Sequence, residues 1–185
     1  MQLLTRKFTV EQYHQMAEKG ILHCEEHVEL IEGEIITMSP IGFRHAATIN
    51  RLVNEFLQLQ LAHKTIVSVQ NSIYLSDCSE PQPDLALLKP TDNFYSDRLP
   101  NATDILLLIE VADSSLTYDR EVKIPLYAQH KINEVWLINL TQNQLECHTN
   151  PINNSYQNQT IFYASQQLSP LAFTELELSL DRLFH

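Results

Sequence analysis

Three residues of this chain stand where their chemistry would matter. Asp84 follows Pro83 and opens a short apolar run, Leu85-Ala86-Leu87-Leu88. Glu110 follows five apolar residues in a row, Ile105 to Ile109. A charge beside such a run is costly unless it meets a partner or a metal. If the two runs are neighbouring strands, both carboxylates can face one point. Two carboxylate oxygens plus a backbone carbonyl are what Mg²⁺ or Mn²⁺ takes from protein, with water and substrate phosphate filling the other positions. Lys123 lies 13 positions after Glu110, at the start of a predicted helix. From there it could stabilise a pentacovalent phosphate or orient the attacking water. Taken singly, each has an ordinary reading: strand-end carboxylates are mostly solvated, and an isolated lysine mostly belongs to the surface. Asp119 reads as a turn residue before the helix.

The elements that must position these residues follow from periodicity. Thr9-Val10-Glu11-Gln12 has capping-box spacing, and a short helix should run to about Lys19, stopped by Gly20. Residues 28–38 read as a β-hairpin with its turn at Glu32-Gly33, ended by Ser39-Pro40. Ile49, Leu52, Val53, Phe56 and Leu59 share one face of a helix placed over about 43–62. Residues 65–70, 72–75 and 84–88 read as strands. Residues 103–111 read as a central strand buried on both faces. A helix is expected over about 121–130, beginning there because Pro125 is tolerated only in a first turn. Strands follow at 134–140 and 144–149, then a polar, Asn-rich surface loop over 150–159, a last strand at 161–164 and a docking tail at 176–184.

This mixed order predicts one α/β (α+β) sheet, a single domain over 1–185. With 44% hydrophobic and 19% charged residues, 185 residues can bury a core. A net charge of -11 excludes a protein that grips nucleic acid simply by being basic. Arg44 and Arg51, seven apart on one helical face, could follow a nucleic-acid backbone, although a solvated face is the commoner reading. Cys24, Cys78 and Cys147 are odd in number and far apart, which fits free thiols in a reducing cytoplasm. No apolar run approaches the roughly 20 residues that span a bilayer. Met1 to Lys7 lacks the apolar stretch of a secretory signal. No Ser-His-Asp elbow, P-loop or dinucleotide fingerprint is present.

Several short strings in a fixed order carry more. They are Val28-Glu29-Leu30-Ile31-Glu32-Gly33-Glu34 to Ser39-Pro40 with His45 following, Pro83-Asp84, Asp97-Arg98-Leu99-Pro100, Ile109-Glu110-Val111-Ala112-Asp113, Tyr118-Asp119, Lys123-Ile124-Pro125-Leu126-Tyr127-Ala128 and Glu134-Val135-Trp136. Over about residues 8–148 the chain resembles the Uma-two-like restriction endonuclease family, which is expanded in cyanobacteria and belongs to the PD-(D/E)XK nuclease superfamily. The resemblance implies a restriction-endonuclease-like core, a mixed β-sheet flanked by helices, with an N-terminal helix and hairpin. It makes Asp84 and Glu110 the Mg²⁺ (or Mn²⁺) ligands. The usual superfamily lysine stands two residues after the glutamate, where this chain has Ala112. Lys123 matches the family's substitute on the next helix, and Glu29 and His45 match further polar positions.

The expected activity is that of a Mg²⁺-dependent DNA endonuclease, with Asp84, Glu110, Lys123, Glu29 and His45 in the site. The competing readings are a catalytically silent binding or assembly module on a nuclease fold, and a hydrolase of another phosphate ester. A homodimer is expected, because it could gather the few basic residues on one face.

Overall fold

The computed structural model describes residues 5–23 and 25–184. The sequence readings that fall on residues 1–4, Cys24 and His185 lie outside the described residues. Helix α1 (Val10–Glu18) begins with the expected capping box: Thr9 Oγ1 accepts from the Gln12 N–H, and the Gln12 side chain accepts from the Thr9 N–H. The hairpin β1 (Val28–Ile31) and β2 (Glu34–Thr37) turns at Glu32 and Gly33, both at positive φ. Gly33 is required there, since an added Cβ would lie 2.7 Å from Lys7 Cβ.

Helix α2 (Phe43–Leu61) lays Ile49, Leu52, Phe56 and Leu59 on one face of a mixed sheet. Its strands are β3 (Ile66–Val69), β4 (Leu85–Leu88), β5 (Ile105–Ala112), β6 (Glu134–Asn139), β7 (Gln144–Ile152) and β8 (Ser155–Tyr163), in that spatial order. All neighbours are antiparallel except β5 and β6. That parallel pair needs a crossover. It consists of α3 (Leu116–Tyr118), a π-helical turn (Asp119–Lys123) and α4 (Ile124–Gln129), which covers the opposite face. Ile124, Tyr127 and Ile132 pack there on Ala86, Leu88, Leu108 and Leu137. So the central strands are buried on both faces, as their near-continuous apolar runs predict.

The C-terminal segment, with β9 (Gln167–Leu168), β10 (Leu178–Ser179) and α5 (Asp181–Phe184), docks Leu178, Leu180 and Leu183 into the α2 layer. Glu134 helps to hold it, accepting from the Leu171 N–H (2.7 Å) and from Trp136 Nε1 (2.8 Å). No helix among the described residues is long and apolar enough to cross a membrane.

Three expectations are corrected. The crossover helix begins at Leu116, not near Glu121, although Pro125 does stand in the first turn of its last segment, α4. The π turn absorbs the proline: Ile124 N–H reaches back five residues to the Asp119 carbonyl, widening the coil one position before the residue that has no N–H to give. The Asn-rich segment 150–159 is no loop. It ends β7 and begins β8 around Asn153-Asn154, both at positive φ, the geometry of a two-residue hairpin turn. Residues 72–75 form no extended strand, only a bridge from Tyr74 to Asn101.

Candidate functional site

Alternation along β5 decides where its carboxylate points. Ile109 and Val111 face α2, while Leu108 and Ala112 face α4. Glu110 therefore faces α4, where the Tyr127 hydroxyl donates to its Oε1 at 2.5 Å. The register pairs Leu85 with Ile109, which sets Asp84 beside position 110. Asp84 Oδ2 accepts the Val111 N–H at 2.8 Å. His45, in the first turn of α2, places Nε2 3.0 Å from the same oxygen.

The hairpin enters from the other side. Strand β1 is bridged to Glu80, with Glu80 N–H donating to the Leu30 carbonyl at 2.8 Å. This brings Glu29 over the turn before Asp84, where its Oε2 accepts the Gln82 N–H at 3.0 Å. Lys123 Nζ then lies 3.2 Å from Glu29 Oε2 and 3.2 Å from Glu110 Oε1. It also donates to the Gln82 carbonyl at 3.5 Å. Glu29 and Glu110 are each 2% exposed and Lys123 is 5% exposed.

The electrostatics follow from that burial. Desolvation pushes Glu110 up to about 8; Lys123 pulls against it, while Asp84 and Asp119 add to the rise. Burial also works to lower Lys123, yet Glu110, Glu29, Asp119 and Asp84 together hold it above the usual lysine range, so the ammonium stays charged. Burial likewise opposes protonation of His45, but its bond to Asp84 prevails and raises it.

The structure thus brings Glu29, Glu110 and Lys123 into direct contact, and His45 with Asp84 beside them. Sequence reasoning passed over three more groups. Asp119, set aside as a turn residue, is buried and accepts from Ser115 Oγ at 2.5 Å. Tyr127, read as core, is core and also holds Glu110. Tyr118 has a buried hydroxyl with no hydrogen-bond partner among the described residues. The signal was available, because Asp119, Lys123 and Tyr127 are spaced by four and share a helical face.

The model of the Uma2 family, described as "Putative restriction endonuclease", matches residues 10–181. The chain belongs to this family. A crystal structure described as a "putative nuclease" from Anabaena variabilis superposes on this Uma2 chain with a TM-score of 0.78. It shares 19% sequence identity, over 96% of this chain and 97% of that one. At that identity the likeness speaks for the fold. No curated protein matches the chain.

Proposed function

We propose that this Uma2 chain is a divalent-metal-dependent DNA endonuclease whose site is the cluster at the ends of β4 and β5. One observation carries the reading: four carboxylates, Glu29, Asp84, Glu110 and Asp119, converge from separate elements on only two cations, Lys123 and His45. A buried excess of negative charge suits a bound cation.

The donor set narrows the kind of cation. Among the described residues, no group of three or more His, Cys, Asp or Glu side chains is arranged to hold a metal ion. A closed protein cage is therefore a poor fit. Mg²⁺ or Mn²⁺ fits better, since Mg²⁺ is commonly held by one or two carboxylates and keeps its remaining places for water and phosphate. Asp84 and Glu110 would hold it. Among the described residues, both side-chain contacts of Glu110 fall on Oε1, and Asp84 Oδ1 meets only Gln70 Nε2, at 3.4 Å. When bound, the metal would supply a water of lowered pKa and neutralise charge on the phosphate.

The chain's own residues do the rest. Lys123 holds Glu29 and Glu110 in register and keeps a positive charge close to where phosphate charge grows. Tyr127 and the Val111 N–H fix the orientation of the two candidate ligands. His45, steadied by Asp84, stands where it can touch a phosphate oxygen.

The reading is tested by nicking of supercoiled DNA with Mg²⁺ or Mn²⁺ and with EDTA, alongside Mn²⁺ titration calorimetry. Asp84→Asn should lose both cutting and Mn²⁺ binding. Metal-independent cutting, or an Asp84→Asn variant as active as the parent, would refute it. The silent-module reading draws on a different fact, that Lys123 is enclosed by two carboxylates and could serve the fold alone. Mn²⁺ binding without cutting of any DNA form would favour it.

We also infer a homodimer. The sheet ends at β8, whose nine residues include no charged side chain, so its open edge carries none of the charges that usually block strand pairing.

A further inference from the structure

Away from the carboxylates, the first three turns of α2 border a groove of about 200 Å³. Phe43, Arg44, Thr48 and Arg51 form one wall, and Leu140 and Phe184 form the other. Among the described residues no Asp or Glu lines it, in a chain with 23 acidic residues. Arg44 and Arg51 both point into it, the two residues whose shared face the sequence left undecided.

Each arginine is held by one nitrogen. Arg44 Nη2 donates to the Leu140 carbonyl at 2.8 Å, and Arg51 Nη1 donates to the Leu183 carbonyl at 3.3 Å. Neither pairs with a carboxylate among the described residues, whereas Lys7, Lys64, Arg98, Arg120 and Arg182 each do. The backbone carbonyls fix the two forks without neutralising them, so both guanidinium charges stay available. They stand seven residues apart, roughly 10 Å along the helix. Phe43 is 87% exposed at one end of the groove, the most exposed large apolar side chain described. An aromatic beside a basic track is the usual equipment for a nucleic-acid strand, with the ring stacking a base and the arginines meeting phosphates.

The groove adjoins the candidate site. Arg44 precedes His45, and Leu140 donates its N–H to the Ala112 carbonyl at 2.9 Å, two residues beyond Glu110. We propose that the groove of Phe43, Arg44 and Arg51 carries the strand of nucleic acid that enters or leaves the carboxylate site. An acidic protein thereby gains a local phosphate track where its net charge works against binding. The proposal rests on the nuclease reading for the nature of its ligand, but not on turnover.

The test measures binding apart from cutting. Anisotropy of a labelled single-stranded and a labelled duplex oligonucleotide is followed in EDTA over a salt series, for parent, Arg44→Ala/Arg51→Ala, Phe43→Ala, Ala47→Glu and Ala47→Lys. The double arginine variant should bind about tenfold more weakly or worse at low salt. Its log K against log salt slope should be shallower by roughly 1.4 to 1.8, the loss of two phosphate contacts. Because that variant also loses two bonds to carbonyls, Ala47, which lines the same groove, supplies the control: Ala47→Glu should weaken binding and Ala47→Lys strengthen it, with both arginines kept. Phe43→Ala should affect the single strand more than the duplex. A parent that binds, with Ala47→Glu and the arginine variant binding as tightly, would overturn the groove and leave the nuclease reading standing. A parent that binds through the arginines yet never cuts with Mg²⁺ or Mn²⁺ would support the groove and overturn the nuclease. A parent that binds neither oligonucleotide in EDTA would overturn the groove and leave the nuclease reading to the metal-dependent cutting assay.

Discussion

Replacing Lys123 by methionine tests how the site is held together. The side chain is 5% exposed, and its ammonium lies 3.2 Å from Glu29 and 3.2 Å from Glu110, both 2% exposed. Methionine fills similar space but leaves two buried carboxylates facing each other without a cation. Among the described residues, Glu29 would keep only the Gln82 N–H, and Glu110 only the Tyr127 hydroxyl. Removing one partner of a buried ion pair costs about 3–5 kcal/mol. For a chain of this size each 1 kcal/mol moves Tm by about 2–4 °C, so Tm should fall by roughly 6–20 °C. The cost should be largest at alkaline pH. Burial already raises Glu110 to about 8 against the pull of Lys123; without that pull it rises further, takes up a proton more readily and relieves the repulsion. At alkaline pH, where Glu110 is ionised, adding Glu110→Gln to Lys123→Met removes one of the stranded charges and should recover about 1–3 kcal/mol. Urea unfolding followed by fluorescence of Trp136, the only tryptophan, reads these values directly. A Lys123→Met loss under about 1 kcal/mol, or no recovery from Glu110→Gln, would refute the enclosed-lysine argument.

Three further outcomes are expected. Tyr127→Phe deletes the donor to Glu110 and nothing else, and should cost about 1–3 kcal/mol in urea unfolding because it strips a buried carboxylate of a partner; a neutral effect would show that the bond is not made. Glu146, 1% exposed, is desolvated, yet the His148 ring, with Nε2 3.4 Å away, and the bonds from Arg120 hold it down at about 2. A carboxylate held below its unfolded value of 4.5 stabilises the fold above that pH, and the contribution is lost as pH falls toward 2. Arg120 is half-exposed, so solvent screening limits the effect to on the order of 2 kcal/mol, and Arg120→Ala should flatten the acid limb of a stability–pH curve between those limits. If β8 pairs with a second copy, light scattering should give twice the chain mass for the parent and the monomer mass for Ile161→Lys; a parent that is monomeric at every concentration would dismiss the dimer.

Local pattern was enough for much of this fold. The Thr9 capping box, the Glu32-Gly33 turn, the apolar stripe of α2 and the doubly buried β5 depend on neighbours a few residues apart, and such regularities are printed in the sequence. The positions of Asp84, Glu110, Lys123, Glu29 and His45 were legible as candidates, the first two from residue type beside apolar runs, Lys123 from its place at the start of the next helix and the last two only by family resemblance. Their relations were not legible. That Lys123 is shared by Glu29 and Glu110, that Asp84 takes both His45 and the Val111 N–H, and that Asp119 and Tyr127 join them all depend on strand order and on the parallel β5–β6 crossover. The start of the crossover helix was misplaced because Pro125 was judged by local rules, while the π turn over Asp119–Lys123 and the packing of Ile124 and Tyr127 keep the helix running from Leu116. Burial made the difference at every one of these points. A charged side chain is harmless in the sequence, and only when the assembled sheet removes water from it must it find a partner.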